Sequence, residues 1–201
     1  LAKVVVGDPR VEGTTMGPLV NASQRDDVAA AVRLLMKGAD VVVGGPDIVP
    51  TIASGDVERG GFFPTTVLVA NDTRSSQLHE VEAFGPVVTV LPYADDDDLV
   101  SMVALGEGSL VASVASHDAE WVRSLLIRIA PYHGRLLVLD RDNAATAPPH
   151  GAALPQLIHG GPGRAGGGEE LGGLRSVKHM MQATSVSAAP QMMVGITRSW
   201  N

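Results

Sequence analysis

The sequence has 201 residues, of which 45% are hydrophobic, 18% charged and 3% aromatic, and its net charge is -7. This length predicts one domain or slightly more, with a core that needs no disulfide or metal to hold it. The acidic balance excludes nucleic acid as an expected partner, and no apolar run approaches the roughly 20 residues of a membrane span. The absence of cysteine excludes disulfides, thiolate metal sites and a cysteine nucleophile within these residues.

The first half of the chain predicts one helix among short strands. Ser23 is the expected N-cap, Asp26 completes a capping box, and apolar residues then recur at helical spacing as far as Leu35. Gly38 is expected to end the helix in a left-handed conformation. The other predicted elements are a short strand or helix end at residues 2–6, a buried strand at 41–43, and strands at 62–69 and 87–91.

The second half continues the alternation of strands and helices. Four acids at residues 95–98 could form a metal site, but acids also stabilise a helix N-terminus, so we expect a solvated first turn there. His117 and Asp118 open a predicted helix that ends at Ile129. The remaining predictions are strands at 110–114, 135–139 and 177–186, a loop at 142–154, and a strand or helix at 192–200. This alternation predicts an α/β fold with a mostly parallel sheet covered by helices.

A glycine-rich run at residues 159–173 contains the pattern G-x-G-x-x-G at Gly161, Gly163 and Gly166. A dinucleotide-binding turn also requires a preceding strand and an acid about 20 residues later. Proline interrupts the preceding segment, and residues 182–190 hold no acid. We therefore interpret the run as a loop in which glycine lets two backbone segments approach closely. The alternative is a separate nucleotide-binding module that loses NAD(P)+ affinity on Gly163→Ala.

Another candidate site lies at residues 80–90, EVEAFGPVVTV. The Gly-Pro pair separates Glu82 from the strand that follows, which places this acid in a loop. A carboxylate in that position can accept two hydrogen bonds from a ribose diol. A surface acid at a helix end is the other interpretation of the same residue.

Four segments in a fixed order carry a family resemblance: VVVGDPRVEGTTMGPLVNASQRDDV, GGFFPTTVLV, EAFGPVVTV and GSLVASVAS. They resemble the C-terminal half of the catalytic domain in the aldehyde dehydrogenase superfamily. The resemblance implies that Glu82 holds the nicotinamide ribose of NAD or NADP and that Phe84 borders the nicotinamide ring. It further implies a partial catalytic domain at residues 1–175, followed at 176–201 by a late strand and tail that make subunit contacts. We therefore expect a homo-oligomer.

The segment LPQLIHGGPGRAGGGEELGGLRSVKHMMQATSV resembles one branch of that family. This branch oxidises semialdehydes of CoA thioesters in aerobic aromatic degradation. The dehydrogenase portion of bifunctional phenylacetate-degradation enzymes is the nearest pattern, and the semialdehyde dehydrogenase of the benzoyl-CoA epoxide pathway is the alternative. The resemblance places His159, Gly160 and Gly161 at the substrate entrance.

The same resemblance implies a cysteine nucleophile, a glutamate base and an asparagine oxyanion donor, all upstream of Leu1. We therefore expect the chain to be part of a longer cytoplasmic enzyme and to be inactive alone. No metal site is expected, since none of the six histidines has a zinc-like partner at i+4 on a helix. A module kept only for assembly is a further hypothesis.

Overall fold

The computed structural model describes residues 3–147, 162–165 and 181–199. The chain divides into two compact units, Leu1–Tyr93 and Ala94–Asn201, which we call unit 1 and unit 2. Each unit has a three-stranded sheet. Within the described ranges, no helix is long and apolar enough to cross a membrane.

Unit 1 packs one long helix on its sheet. Its elements are α1 Ala22–Leu35, β1 Ala39–Val43, β2 Thr66–Ala70, α2 Ser76–Glu80 and β3 Val87–Val90. The strand order is β1-β2-β3, with β1 antiparallel to β2 and β2 parallel to β3. Val28, Val32 and Leu35 recur one turn apart along α1, and this apolar stripe is buried together with Phe63 and Leu68.

Two local predictions about the ends of α1 are wrong. The N-cap of α1 is Asn21, whose side chain accepts a hydrogen bond from the Gln24 backbone, so Ser23 already lies inside the helix. Gly38 does not have a left-handed backbone conformation, and the helix ends before it, at Met36, which has ordinary helical geometry. A glycine is needed at position 38 because a Cβ there would lie 2.5 Å from the Ser75 hydroxyl.

The strand β1 also differs from its prediction as a buried strand. Among the described strands it pairs with β2 alone, and it lies at the edge of the unit 1 sheet. Val42 and Val43 are 57% and 42% exposed, and the pairing register with β2 shifts between Val41 and Val43. At the predicted N-terminal strand, Val6 makes only an isolated bridge with Met16.

Unit 2 is built on an all-parallel set of described strands, in the order β4-β5-β6. Its helices are α3 Asp96–Leu105, α4 Ala119–Ile129 and α5 Pro190–Thr197, and its strands are β4 Ser109–Ala115, β5 His133–Leu139 and β6 Ser185–Ser187. Short 3-10 turns span Ala130–Tyr132 and Gly163–Ala165. Helix α4 buries Val122, Leu125, Leu126 and Ile129 against a core that includes Leu136 and Val138.

The helix starts of unit 2 confirm the sequence predictions. Asp95 caps α3 by accepting a hydrogen bond from the Asp98 backbone, and the acids at 96–98 occupy the first turn. Asp118 caps α4 in the same way, through the Trp121 backbone. The tail is a helix, while the late strand covers only residues 185–187 of the described part. Because three of the four strand pairs described are parallel, the α/β class with a mostly parallel sheet is confirmed.

Candidate functional site

The loop of residues 81–86, between α2 and β3, presents two of the predicted site residues. Val81 and Ala83 pack against the unit 1 core, so the alternating residues Glu82 and Phe84 are exposed. Phe84 is 67% exposed, whereas the other two phenylalanines, Phe62 and Phe63, are buried. The loop therefore presents a carboxylate and an aromatic ring two residues apart.

This loop is held at three points along its backbone. The side-chain amide of Gln24 donates a hydrogen bond to the Phe84 carbonyl over 3.0 Å. The next residue, Gly85, lies so close to α1 that a Cβ would come within 2.9 Å of both methyl groups of Val28. The Pro86 carbonyl accepts a hydrogen bond from the Thr66 backbone at the start of β2. Helix α1 and strand β2 thus fix the loop that exposes Glu82 and Phe84.

The chemistry of this pair fits the nicotinamide end of a dinucleotide. A carboxylate accepts hydrogen bonds from two neighbouring hydroxyls, as a ribose diol offers them, and an exposed ring provides an apolar face for a flat heterocycle. The sequence pattern predicted these two residues as a cofactor site. The sequence did not reveal the hydrogen bond from Gln24 that supports them, because Gln24 and Phe84 are 60 positions apart. The other predicted site residues, His159, Gly160 and Gly161, lie outside the described residues.

Part of the glycine-rich run is described, and it makes a backbone contact in unit 2. Gly163 has a positive φ of 50°, and a Cβ on it would overlap with the Glu107 carbonyl oxygen. The Arg164 backbone donates a hydrogen bond to that same oxygen over 2.9 Å. A Cβ on Gly108 would in turn overlap with the Pro162 carbonyl oxygen. Close approach of two backbone segments is therefore confirmed at Gly163, and the N–H that follows it is already used within the protein.

A cluster that the sequence did not predict lies at the carboxyl ends of β4 and β5. Potential ligand atoms of His117, Asp140 and Asp142 lie within 4.8 Å of one another. One carboxylate oxygen of buried Asp140 accepts hydrogen bonds from the backbones of Asp142 and Asn143. These bonds close the turn after β5 and account for the burial of this acid. The arrangement is sufficiently explained as a turn.

A cavity of about 540 Å³ opens between α1 and the loop that follows β1 in unit 1. Four of its five charged residues pair locally, Arg33 with Asp47 at 2.6 Å and Arg25 with Asp26 at 3.1 Å. Glu58 also lines the cavity and belongs to neither pair, so the two ion pairs do not neutralise the whole lining.

The turn at Gly7-Asp8-Pro9 carries an internal ion pair. Asp8 binds the Arg10 guanidinium with both oxygens, and hydrogen bonds from the Arg10 side chain and backbone lower the pKa of Asp8 to about 2. The Asp8 backbone also donates to Ser54. These contacts show that Asp8, the aspartate of the GDP segment, stabilises the turn.

Comparison with known sequences identifies relatives over nearly the whole chain. The model of the "Aldehyde dehydrogenase family" matches residues 1–186. "Protein MaoC" from Klebsiella aerogenes is 43% identical over 188 residues, which are 92% of this chain and 54% of that protein. The "3,4-dehydroadipyl-CoA semialdehyde dehydrogenase" from Aromatoleum evansii is 41% identical, over 81% of this chain and 32% of that protein. The chain therefore spans about half or less of the length of these relatives.

Solved structures share the fold. Aldehyde dehydrogenase C from Pseudomonas syringae, in complex with NAD+ and octanal, superposes with a TM-score of 0.66 at 30% identity. The match covers 89% of this chain and 33% of that one. Betaine aldehyde dehydrogenase from Staphylococcus aureus, in complex with NAD+, superposes with a TM-score of 0.60 at 26% identity, over 69% of this chain and 27% of that one. From the match over residues 1–186, the chain belongs to the aldehyde dehydrogenase family.

Proposed function

We propose that this chain supplies the nicotinamide-holding part of an NAD(P)-dependent aldehyde dehydrogenase. The observation that carries the proposal is the loop of residues 81–86, in which Glu82 and Phe84 are exposed while the residues between and around them are anchored. Two solved relatives are complexes with NAD+, which supports a nicotinamide dinucleotide as the ligand.

Each of the two residues has a distinct role in the proposed site. The Glu82 carboxylate accepts hydrogen bonds from the ribose hydroxyls, and the charge on the acceptor makes those bonds stronger than bonds between neutral groups. The Phe84 ring covers one face of the nicotinamide and excludes water from it. The bound nicotinamide ring supplies the hydride acceptor. Because the backbone on both sides of Phe84 is held, little conformational freedom is lost on binding.

The nucleophile of the proposed reaction comes from elsewhere in the enzyme. The chain contains no cysteine, and the family resemblance implies a thiolate that attacks the aldehyde carbon. We propose that this thiolate, the general base and the oxyanion donor lie in the same polypeptide before Leu1. The 201 residues alone are then inactive toward aldehydes.

The proposed substrate is a semialdehyde carried on a CoA thioester, formed during aerobic aromatic degradation. The name of the Aromatoleum evansii relative supports this class. The pattern of the glycine-rich segment favours the phenylacetate pathway, with oxidation of 3-oxo-5,6-dehydrosuberyl-CoA semialdehyde to the acid. The semialdehyde of the benzoyl-CoA epoxide pathway is the alternative, and the two relatives differ by only two percentage points in identity, 43% against 41%. His159, Gly160 and Gly161 remain the proposed substrate entrance.

We also propose that residues 176–201 form the subunit contact of a homo-oligomer, next to the partial catalytic domain at 1–175. The described part of this segment supports the idea, because β6 pairs with β5 on one side and with no other described strand. An unpaired strand edge is a ready template for pairing with another chain.

The test uses the complete enzyme that contains this chain. Glu82→Gln should weaken NAD(P)+ binding about tenfold, because a charge-assisted pair is replaced by a neutral one. Glu80→Gln is the matched control, since Glu80 is an exposed acid two residues earlier, in α2. The measurement is the Kd for NAD+ and NADP+ by titration calorimetry, together with kcat/KM for both CoA semialdehydes and for a simple aldehyde. Equal Kd values for the two variants would reject the proposed role of Glu82, and a preference for the simple aldehyde would reject the substrate class.

A further inference from the structure

Both ends of the Gln24 side-chain amide are engaged, although this residue lies in the first turn of α1. Its carbonyl oxygen accepts a hydrogen bond from the Val20 backbone over 3.1 Å, so the Val20 N–H just before the helix has an acceptor. Its amide nitrogen donates to the Phe84 carbonyl over 3.0 Å. The first bond belongs to the helix start, whereas the second leaves the helix and reaches the candidate site.

The residue one turn later on α1 contacts the same loop. Val28 stands at i+4 from Gln24, so the two side chains lie on one face of the helix. Val28 is 1% exposed, and its methyl groups leave room only for a glycine at position 85. One helix face therefore holds two consecutive loop residues, Phe84 by a hydrogen bond and Gly85 by packing.

We propose that Gln24 is a positioning residue for the nicotinamide end of the cofactor. It sets the path of the backbone at Phe84, and through that backbone it sets the direction of the Phe84 ring and the adjacent Glu82 carboxylate. This inference rests on the proposed function, because it needs the loop to hold nicotinamide riboside. It assigns to Gln24 no contact with the cofactor.

The two hydrogen bonds of Gln24 can be separated by mutation. Gln24→Glu keeps an oxygen that accepts from the Val20 backbone, but it has no N–H to donate to the Phe84 carbonyl. The change removes the bond to the loop and leaves the bond at the helix start. Leu35→Val is the matched control, since it shortens a buried side chain at the other end of the same helix and leaves both hydrogen bonds of Gln24 in place.

The experiment compares two ligands on the complete enzyme: NAD(P)+, and ADP as the part of the cofactor that lacks the nicotinamide riboside. Gln24→Glu should raise the Kd for NAD(P)+ about three- to tenfold, in the range of one lost hydrogen bond, and leave the Kd for ADP unchanged. Leu35→Val should change neither Kd, although it lowers the urea midpoint. Hydrogen exchange in the unliganded protein should be faster at residues 81–86 in Gln24→Glu only.

The outcomes separate the inference from the proposed function. If Glu82→Gln weakens NAD(P)+ binding and Gln24→Glu does not, the positioning role is wrong and the proposed function stands. If Gln24→Glu weakens ADP binding equally, the residue acts through general stability and the inference is also overturned. If wild-type enzyme binds NAD(P)+ no more tightly than ADP and Glu82→Gln has no effect, the proposed function itself fails.

Discussion

Gly85 and Gly163, two of the glycines that make close contacts in this protein, differ in what lies opposite them. Gly85 in unit 1 packs against the side chain of Val28, whereas Gly163 in unit 2 packs against the backbone of Glu107. Gly85 has no positive φ, so glycine is needed there for space alone. Gly163 has a φ of 50°, so glycine is favoured there by both space and conformation.

The difference shows how the same residue type can serve different purposes. A side chain opposite a glycine can be shortened by mutation, which makes the contact adjustable. A carbonyl opposite a glycine is common to all residue types, so no substitution at Glu107 would make room. A mutation opposite Gly85 can therefore make room in the loop that presents Glu82 and Phe84. No mutation opposite Gly163 can do the same for the segment at 162–165.

The largest effect is expected for Gly163→Ala. The added Cβ would overlap with the Glu107 carbonyl, and the alanine would have to adopt a left-handed backbone conformation. Together, the overlap and the strained conformation should lower the free energy of unfolding by about 2–4 kcal/mol. Urea titration of wild type and variant measures this loss. Shortening Glu107 to alanine should give no recovery. A selective loss of NAD(P)+ affinity with unchanged stability would instead support the nucleotide-binding interpretation of the glycine run.

A smaller and reversible effect is expected for Gly85→Ala. Overpacking against Val28 should lower the free energy of unfolding by about 1–3 kcal/mol and displace the loop that carries Glu82. Adding Val28→Ala removes both methyl groups and should restore NAD(P)+ binding, while the core itself remains weakened. Urea titration and cofactor Kd of the two single variants and the double variant complete the comparison. Additive losses of cofactor affinity would contradict a steric cause.

The smallest effect is expected for the pH dependence of folding stability, which arises from a histidine near the Gly163 contact. Ser109 follows Gly108 directly, and its hydroxyl lies 2.7 Å from Nδ1 of His133. Burial lowers the pKa of His133, and its other ring nitrogen has no partner among the described residues. A folded-state pKa below the ordinary 6.5 means that the unfolded chain binds the proton more readily. Stability from this group is therefore full above pH 6.5 and falls as the pH drops through that value.

This dependence can be tested by urea titration between pH 8 and pH 5. His133→Gln should flatten the curve in this range, since glutamine does not titrate. A curve that is the same in wild type and His133→Gln would show that the buried imidazole does not contribute.

The sequence predicted most of the elements because each carried a local signal. The acids before α3 and α4 were identified as helix starts, and both caps are observed at Asp95 and Asp118. The cap of α1 was missed because Asn21 and Ser23 are both good capping residues. Only the hydrogen bond from the Gln24 backbone to the Asn21 side chain decides between them. The exposure of β1 was missed because a run of valines predicts a strand but does not show whether it lies at an edge.

The sequence by itself determined the α/β class, the family and the two candidate cofactor residues, because spacing and order along the chain carry that information. Only the tertiary structure decided what holds those residues. The partners Gln24 and Phe84 are 60 positions apart, and Gly163 meets Glu107 across a separation of 56. Contacts of this kind depend on how the helices and strands pack, and no local pattern of residue types encodes them.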